Sequence, residues 1–411
     1  MEQIIFHIDV NSAFLSWTAL SRLEAGDPLD LRTVPSIIGG DLQKRHGVVL
    51  AKSVPAKAYG IKTGEPVVNA FRKCPTLISA PPDHSMYRRR SHALMEYLSD
   101  ICPEIEQVSI DECYMNFTPI SYRYTSPLEA ARQIREGILA NFGFTVNIGI
   151  SDRKILAKMA SDFKKPNLVH TLFSHEIREK LWPLPVSTLH MCGHSSVEIL
   201  RNLEILTIGD LANTAPEILT LHLKSHGKML WEYANGWDTA RVEYLPSKAK
   251  GIGNSTTLHQ DVTTRQDAFL VLHSLAEGVA GRLRKSGQRA GMVSCEIKYH
   301  TFQHVSHQMT LQMPTDSTEE IYRISCRLFD ELWNASPIRL LGIRTSRLAE
   351  SHQPVQVNLF DYLAAEEEES PETSRKLPGD KLHRLDQALD RIKNKYGEDA
   401  VTRGSLLRKN P

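Results

Sequence analysis

With 411 residues, the chain is too long for one compact core, and several domains are expected. Its formal net charge of +1 says nothing about partners, so local charge carries the information. No apolar run approaches the roughly 20 residues of a membrane span, the start Met1-Glu2-Gln3-Ile4-Ile5-Phe6 lacks the parts of a signal peptide, and the six cysteines contain no C-x-x-C pair. A membrane-free, cytoplasmic protein with reduced thiols is the expectation.

Ile4 to Ile8 reads as a short buried strand. Ser12 can cap a helix whose apolar positions Ala13, Phe14, Trp17, Leu20 and Leu23 recur at helical spacing. Residues from about 25 to 80 mix Gly, Pro, Lys and Arg and read as a small, loop-rich insertion. Val108 to Ile110 and Cys113 to Phe117 read as paired strands around Asp111-Glu112. Ser126-Pro127-Leu128-Glu129 has the cap, the first-turn proline and the glutamate of a capping box, and Gly143 stops that helix. Phe144, Val146, Ile148 and Ile150 then alternate with Thr145, Asn147 and Gly149, the pattern of a half-buried strand. The order is β-α-β-β-α-β, a split ferredoxin-like unit with a long insertion after its first helix.

Short helices follow over about 173 to 236, and a linker near 246 to 250. A second β-α-β-β-α-β pattern has helices over about 265–286 and 318–334, the latter opened by Ser317 with Glu320 three residues on. Its strands lie near 252–258, 291–299, 304–312 and 338–347. Beyond about 350 the chain turns polar, with an acidic run at Glu366 to Glu369, and a last amphipathic helix is expected from Leu382 to Tyr396.

Asp9 ends the first strand, and Asp111 and Glu112 sit between two others. The topology sets the first and third strands side by side, so the three acids can meet, given a turn or bulge at Asp111-Glu112. Such a cluster suits Mg²⁺, which takes hard oxygen ligands and keeps phosphates in its shell. Without a cation the acids would repel one another. Taken singly, each is an ordinary strand-end acid.

At these residues the sequence resembles the Y-family translesion DNA polymerases. Ser109-Ile110-Asp111-Glu112 is similar to the family's catalytic signature, and Asp9-Val10-Asn11-Ser12-Ala13-Phe14 to its first acidic motif. Gly149-Ile150-Ser151, Ala157-Lys158 and Lys165-Pro166-Asn167 resemble the stretch that closes the palm. The likeness spans about residues 1 to 360 in motif order. It implies an α+β right-hand polymerase with a ferredoxin-like palm (1–12 and 78–172), small fingers (13–77), a helical thumb (173–236), a linker (237–249) and a second ferredoxin-like little-finger domain (250–348). A tail (349–381) and a C-terminal helix (382–411) follow.

The resemblance also implies roles. Asp9, Asp111 and Glu112 would hold two Mg²⁺ ions, with Glu112 on the side of the primer 3′-hydroxyl. The backbone at Val10 and Asn11 would lie near the triphosphate of the incoming dNTP, Phe14 would exclude a 2′-hydroxyl, and Lys57 and Lys165 would meet phosphates. The family's fingers carry a Tyr and an Arg where this chain has Val54 and Lys57, so the two-pronged guanidinium contact is absent. Primer–template DNA and dNTP are the implied partners of a monomer. Gln356-Val357-Asn358-Leu359-Phe360 resembles the peptide that docks on a bacterial sliding clamp.

For DNA grip, Met191-Cys192-Gly193-His194-Ser195 stands where the thumb has a helix-hairpin-helix, with one glycine kept and Glu204 where a glycine is common. Arg282, Arg284, Lys285 and Arg289 cluster at a helix end, and Arg339, Arg344 and Arg347 lie along a strand; both groups can track phosphates or form a solvated face. His300, His304 and His307 have no evident acid or thiol partner and read as bland surface residues, and Tyr87-Arg88-Arg89-Arg90 reads as a solvated helix start. Two rivals remain at this stage: a catalytically weak accessory factor that binds DNA and the clamp, and another palm-type nucleotidyl transferase such as a nucleotide cyclase.

Overall fold

A computed structural model describes residues 3–40, 47–245, 249–350, 379–397 and 400–401. The chain divides into two units, Met1–Ser247 and Lys248–Pro411.

In the first unit, β1 (Ile5–Val10), α1 (Ala13–Glu24), β2 (Ser36–Gly39), β3 (Val49–Lys52), α2 (Val54–Ala58), α3 (Val67–Lys73), β4 (Ile78–Ala80) and α4 (His84–Ile101) come first. Next are β5 (Ile105–Gln107), β6 (Glu112–Asn116), α5 (Pro127–Phe142), β7 (Val146–Ser151), α6 (Lys154–Ser161) and β8 (Val169–Thr171). Five short helices close the unit: α7 (Ile177–Lys180), α8 (His194–Asn202), α9 (Ile208–Asn213), α10 (Pro216–Leu223) and α11 (Ser225–Ala234). The main sheet has the order β5-β6-β1-β7-β8, so the ferredoxin order expected for its first four strands is present. The stretch read as a loop-rich insertion instead holds a second sheet, β3-β2-β4. Its strands are only three or four residues long, too short to leave a clear alternation.

Strand β1 is central, and its two faces differ. Phe6, Ile8 and Val10 join Ile148 and Ile150 of β7 in a core closed by Trp17, Leu94, Leu98, Ile134 and Ile138. The opposite face carries His7 and Asp9 on β1, Asn147 and Gly149 on β7, and Glu112 and Tyr114 on β6, because side chains alternate along a strand. Helix α6 covers part of that polar face, so every residue of β7 is buried rather than every second one. Gly149 permits the close approach: a Cβ there would stand 2.0 Å from the Ala157 carbonyl oxygen and 2.5 Å from the Ser161 nitrogen.

Local chemistry departs from expectation at several element ends. The strand read at Val108–Ile110 lies at Ile105–Gln107, and the chain bends over 108–111. Ser12 is in the left-handed region (φ 48°) and does not cap α1 with its side chain. Ser126 Oγ accepts from the Glu129 N–H (3.2 Å), but the Glu129 carboxylate accepts from Gln133 instead of closing a box.

In the second unit, β9 (Gly251–Val262), α12 (Arg265–Lys285), β10 (Gln288–Tyr299), β11 (His304–Thr315), α13 (Thr318–Leu332), β12 (Ile338–Glu350) and α14 (Gly379–Tyr396) follow in order. The β-α-β-β-α-β sequence is as expected, but the sheet order is β11-β10-β12-β9, which is not the ferredoxin order. The last strand enters between the first and second strands, with antiparallel partners on both sides. Ser317 does not cap α13 through its side chain. Asp386 of α14 does so instead, accepting the Thr318 N–H at 3.0 Å.

Candidate active site

The polar face under α6 ends in a carboxylate cluster. Asp9 and Glu112 are register partners across β1 and β6, and the Val10 N–H donates to the Asp111 carbonyl at 3.0 Å. The bend at 108–111 is held by the Val108 and Ser109 N–H groups, which both reach the Glu112 carbonyl (3.1 and 3.3 Å). This bend turns Asp111 toward the same strand end as its neighbour Glu112. The three acids are each half-buried.

Each carboxylate has one oxygen tied. Lys165 Nζ lies 2.5 Å from Asp9 Oδ2 and 2.9 Å from Asp162 Oδ1. Ser109 Oγ donates to Asp111 Oδ1 at 2.7 Å. Lys158 Nζ lies 2.5 Å from Glu112 Oε2, with His7 Nε2 at 3.3 Å from the same oxygen. Among the described residues, no hydrogen bond or ion pair engages Asp9 Oδ1, Asp111 Oδ2 or Glu112 Oε1.

The charges follow from these contacts. Burial raises the Asp111 pKa, the charges of Asp9 and Glu112 add to the rise, and the Ser109 hydroxyl opposes it. Glu112 is held down to about 2, by His7 first and then by Lys158. Burial lowers the His7 pKa, so at neutral pH the pair is a carboxylate beside a neutral ring. Burial works against the charge on Lys165, but Asp9 and then Asp162 outweigh it and hold its pKa above the ordinary lysine value.

Among the described residues, Asp111 has no lysine, arginine or histidine partner, whereas Asp9 and Glu112 do. A carboxylate under like-charge pressure, with hard oxygen donors beside it, fits a divalent cation of the Mg²⁺ type. No group of three or more His, Cys, Asp and Glu is gathered tightly enough among the described residues to form a ready metal cage. Two of the three acids face ammonium groups instead, and those contacts satisfy them separately.

The other expected site residues differ in placement. Val10 points its side chain into the apolar core on the far face, and the Asn11 N–H is engaged with the Thr145 carbonyl at 2.9 Å. Asn11 spends its side chain on Asn147 (3.1 Å) and on the Asn167 N–H (2.9 Å), which binds the loop carrying Lys165 to the end of β1. Phe14 is half-buried on the first turn of α1, stacked on Tyr87 with centroids 4.4 Å apart and His84 at its edge. Lys57 is exposed on α2, and no contact joins it to the carboxylates. Gln356, Leu359 and Phe360 lie outside the described residues.

Sequence reasoning gave no role to His7, Ser109 or Asn147, and noted Lys158 only as part of a motif. His7 stands two residues before Asp9, so strand alternation places both on one face. Asn147 is fully buried and donates to the Ser161 and Lys164 carbonyls (3.2 and 2.9 Å).

In the second unit the basic residues divide. Arg344 and Lys285 are exposed, whereas Arg284 is 7% exposed and bound by Asp390 and Asp386 of α14. Arg284 is therefore not available to a phosphate. His304 and His307 have glutamate partners, Glu296 at 3.2 Å and Glu331 at 2.8 Å, supplied across the sheet and from α13. In the helical part of the first unit, Glu204 has φ 61°, a left-handed conformation that favours glycine.

The α+β topology agrees with comparisons to known proteins. Residues 8–162 match the impB/mucB/samB family model, and residues 249–359 match the model of that family's C-terminal domain. A DNA polymerase IV of Clostridium acetobutylicum is 44% identical over 409 residues, covering 100% of this chain and 99% of the relative. DNA polymerase IV 1 of Bacillus subtilis is 34% identical, covering 99% of this chain and 94% of that protein. In fold, a Y-family DNA polymerase chimera superposes with a TM-score of 0.75 at 21% identity, covering 84% of this chain and 99% of that one. The accessory-factor and cyclase readings find no support in these likenesses. The chain belongs to the impB/mucB/samB family, the bacterial Y-family DNA polymerases, and is a metal-dependent translesion DNA polymerase.

Proposed function

We propose that Asp9, Asp111 and Glu112 form the centre at which a primer 3′-hydroxyl attacks the α-phosphate of a dNTP and pyrophosphate leaves. Two Mg²⁺ ions, held by Asp9 and Asp111 with Glu112 joining on the primer side, would lower the hydroxyl pKa and neutralise charge on the leaving group. The observation that carries this reading is the set of half-buried carboxylates at adjacent strand ends, each with one oxygen tied and one open. Positioning and electrostatics then carry most of the catalysis.

The residues around the carboxylates divide the remaining work. Among the described residues no side chain caps α1, so the first N–H groups of that 12-residue helix are open to a triphosphate. Val10 and Asn11 contribute by holding the strand end in place. Lys165, paired with Asp9 and Asp162, is long enough to turn to a phosphate. Phe14, braced by Tyr87, meets the sugar edge as a steric gate. Lys57 joins the set through the motif likeness alone, as a point charge.

The palm is assigned to 1–12 and 78–172, the fingers to 13–77, the thumb to 173–236 and the DNA-tracking little finger to 250–348, with 237–249 as linker. The protein works as a cytoplasmic monomer on primer–template DNA, recruited to a sliding clamp through Gln356, Leu359 and Phe360. The test of the centre is Asp111→Ala with Mg²⁺ present. Primer extension is abolished while primer–template affinity stays near wild type; extension at the wild-type rate refutes the assignment.

A further inference from the structure

We infer that His7 is a positioning residue that decides which oxygen of Glu112 faces the metal site. The inference rests on the reading of Glu112 as a cation ligand and adds the device that aims it.

His7 is fully buried in the middle strand of the main sheet, where an apolar side chain would fill the space without a desolvation penalty. Its Nδ1 lies 2.7 Å from Ser161 Oγ. Its Nε2 is buried and has no aligned hydrogen bond, and the acceptor it faces is Glu112 Oε2 at 3.3 Å. Lys158, three residues before Ser161 on α6, reaches that same oxygen at 2.5 Å. Ser161 Oγ also lies 2.8 Å from the Lys158 carbonyl oxygen. His7, Ser161, Lys158 and Glu112 therefore close a circuit, and His7 Nε2 and Lys158 Nζ both face Oε2 of Glu112. Oε1 is the oxygen left for a cation.

The hydrogen count makes the circuit selective. A neutral imidazole has one N–H, and a serine hydroxyl has one hydrogen. When the Ser161 hydroxyl donates to Nδ1, the imidazole proton sits on Nε2 and points at Glu112. When the hydroxyl turns to the Lys158 carbonyl, Nδ1 takes the proton and Nε2 presents a lone pair to the carboxylate, which repels Oε2. Partners behind a metal ligand fix its orientation in this way, and losing one commonly weakens metal affinity by about 10- to 100-fold. Lys158 adds charge, but its flexible stem leaves Nζ free to follow Glu112. The imidazole, locked between α6 and the sheet, cannot follow.

The experiment compares His7→Gln, His7→Asn and Ser161→Ala with wild type in the full-length chain. Gln places an amide donor near the Nε2 position, and Asn places one near Nδ1. Mn²⁺ binding is followed by electron paramagnetic resonance in complexes with a dideoxy-terminated primer–template and the next dNTP, beside the Mg²⁺ concentration for half-maximal extension and the thermal midpoint. Both His7 variants lower the midpoint similarly. The expected result is Mn²⁺ affinity about 10- to 100-fold weaker in His7→Asn, largely kept in His7→Gln, and weakened in Ser161→Ala. Equal Mn²⁺ affinity in the Asn and Gln variants overturns the inference, because His7 would then serve packing alone. Asp111→Ala separates the two levels. Mn²⁺ binding that survives it refutes the site reading and this inference together, whereas loss there with no Asn–Gln difference refutes the inference alone.

Discussion

Replacing Arg284 with alanine separates a structural role from a DNA-binding one. In the structure, Nε and Nη2 of Arg284 donate to Asp390 Oδ2 and Oδ1 at 2.6 and 2.9 Å, a bidentate pair. Nη1 donates to the Asp316 carbonyl at 2.8 Å and approaches Asp386 Oδ2 at 3.4 Å. Asp386 is itself 4% exposed and caps α13. Lys393 of α14 reaches Glu277 of α12 at 2.7 Å, a second tie between those helices beside the Arg284 network. Removing one partner of a buried pair costs about 3–5 kcal/mol, because the other charge keeps its burial and loses its counter-ion. An exposed arginine changed to alanine falls within about 0.5 kcal/mol of neutral. The appropriate assay is amide hydrogen exchange resolved by segment, since a chain of two units has no single unfolding free energy. At about 3 kcal/mol, the slowest amides of α12 and α13 exchange on the order of a hundredfold faster. Asp390→Ala alone costs less, because Arg284 keeps Asp386 and the Asp316 carbonyl as partners. The two changes together fall short of their sum, because the pair they break is shared. DNA affinity keeps its dependence on salt. Unchanged exchange, together with a salt slope reduced by about one unit, would refute the reasoning and return Arg284 to the phosphate-contacting set.

Two further outcomes are expected. Phe14→Ala raises ribonucleotide incorporation relative to deoxynucleotide incorporation in primer extension; an unchanged ratio leaves Phe14 as a core residue stacked on Tyr87. Leu359→Ala with Phe360→Ala lowers synthesis stimulated by a sliding clamp and spares basal synthesis; equal loss of both argues against recruitment by that peptide.

Much of the fold was legible because its long elements are strongly patterned. The helix at Pro127–Phe142 has a cap, a first-turn proline and a stop glycine, and the long strands and helices of the second unit carry clear periods. Strand order in the second unit was not legible, because the same β-α-β-β-α-β string serves more than one arrangement and pairing is decided by contacts distant in sequence. Caps failed at Ser12 and Ser317 for different reasons. At Ser12 the backbone turns left-handed and carries the side chain away, while at Ser317 an aspartate from α14 supplies the acceptor that a local serine would have supplied. The same long-range contact removed Arg284 from the basic face that its neighbours in sequence imply.

The candidate site divides along a similar line. Asp9, Asp111 and Glu112 were legible as a set because strand topology brings strand ends together. Their partners were hidden by a plausible but incorrect inference, that polar residues alternating along a strand face water. On β7 the alternation of Val146, Ile148 and Ile150 with Asn147 and Gly149 is real, yet both faces are buried. The polar face is a second interior, lidded by α6 across Gly149, and its side chains are polar because they serve one another: Asn147 holds the loop of Lys165, and His7 faces Glu112. Gly149 is the sequence sign of this arrangement, since a glycine at mid-strand marks the close approach of another backbone. A polar strand face with a glycine at its centre, followed by a helix rich in alanine such as Ala157 and Ala160, therefore argues for a covered polar face rather than a solvated one.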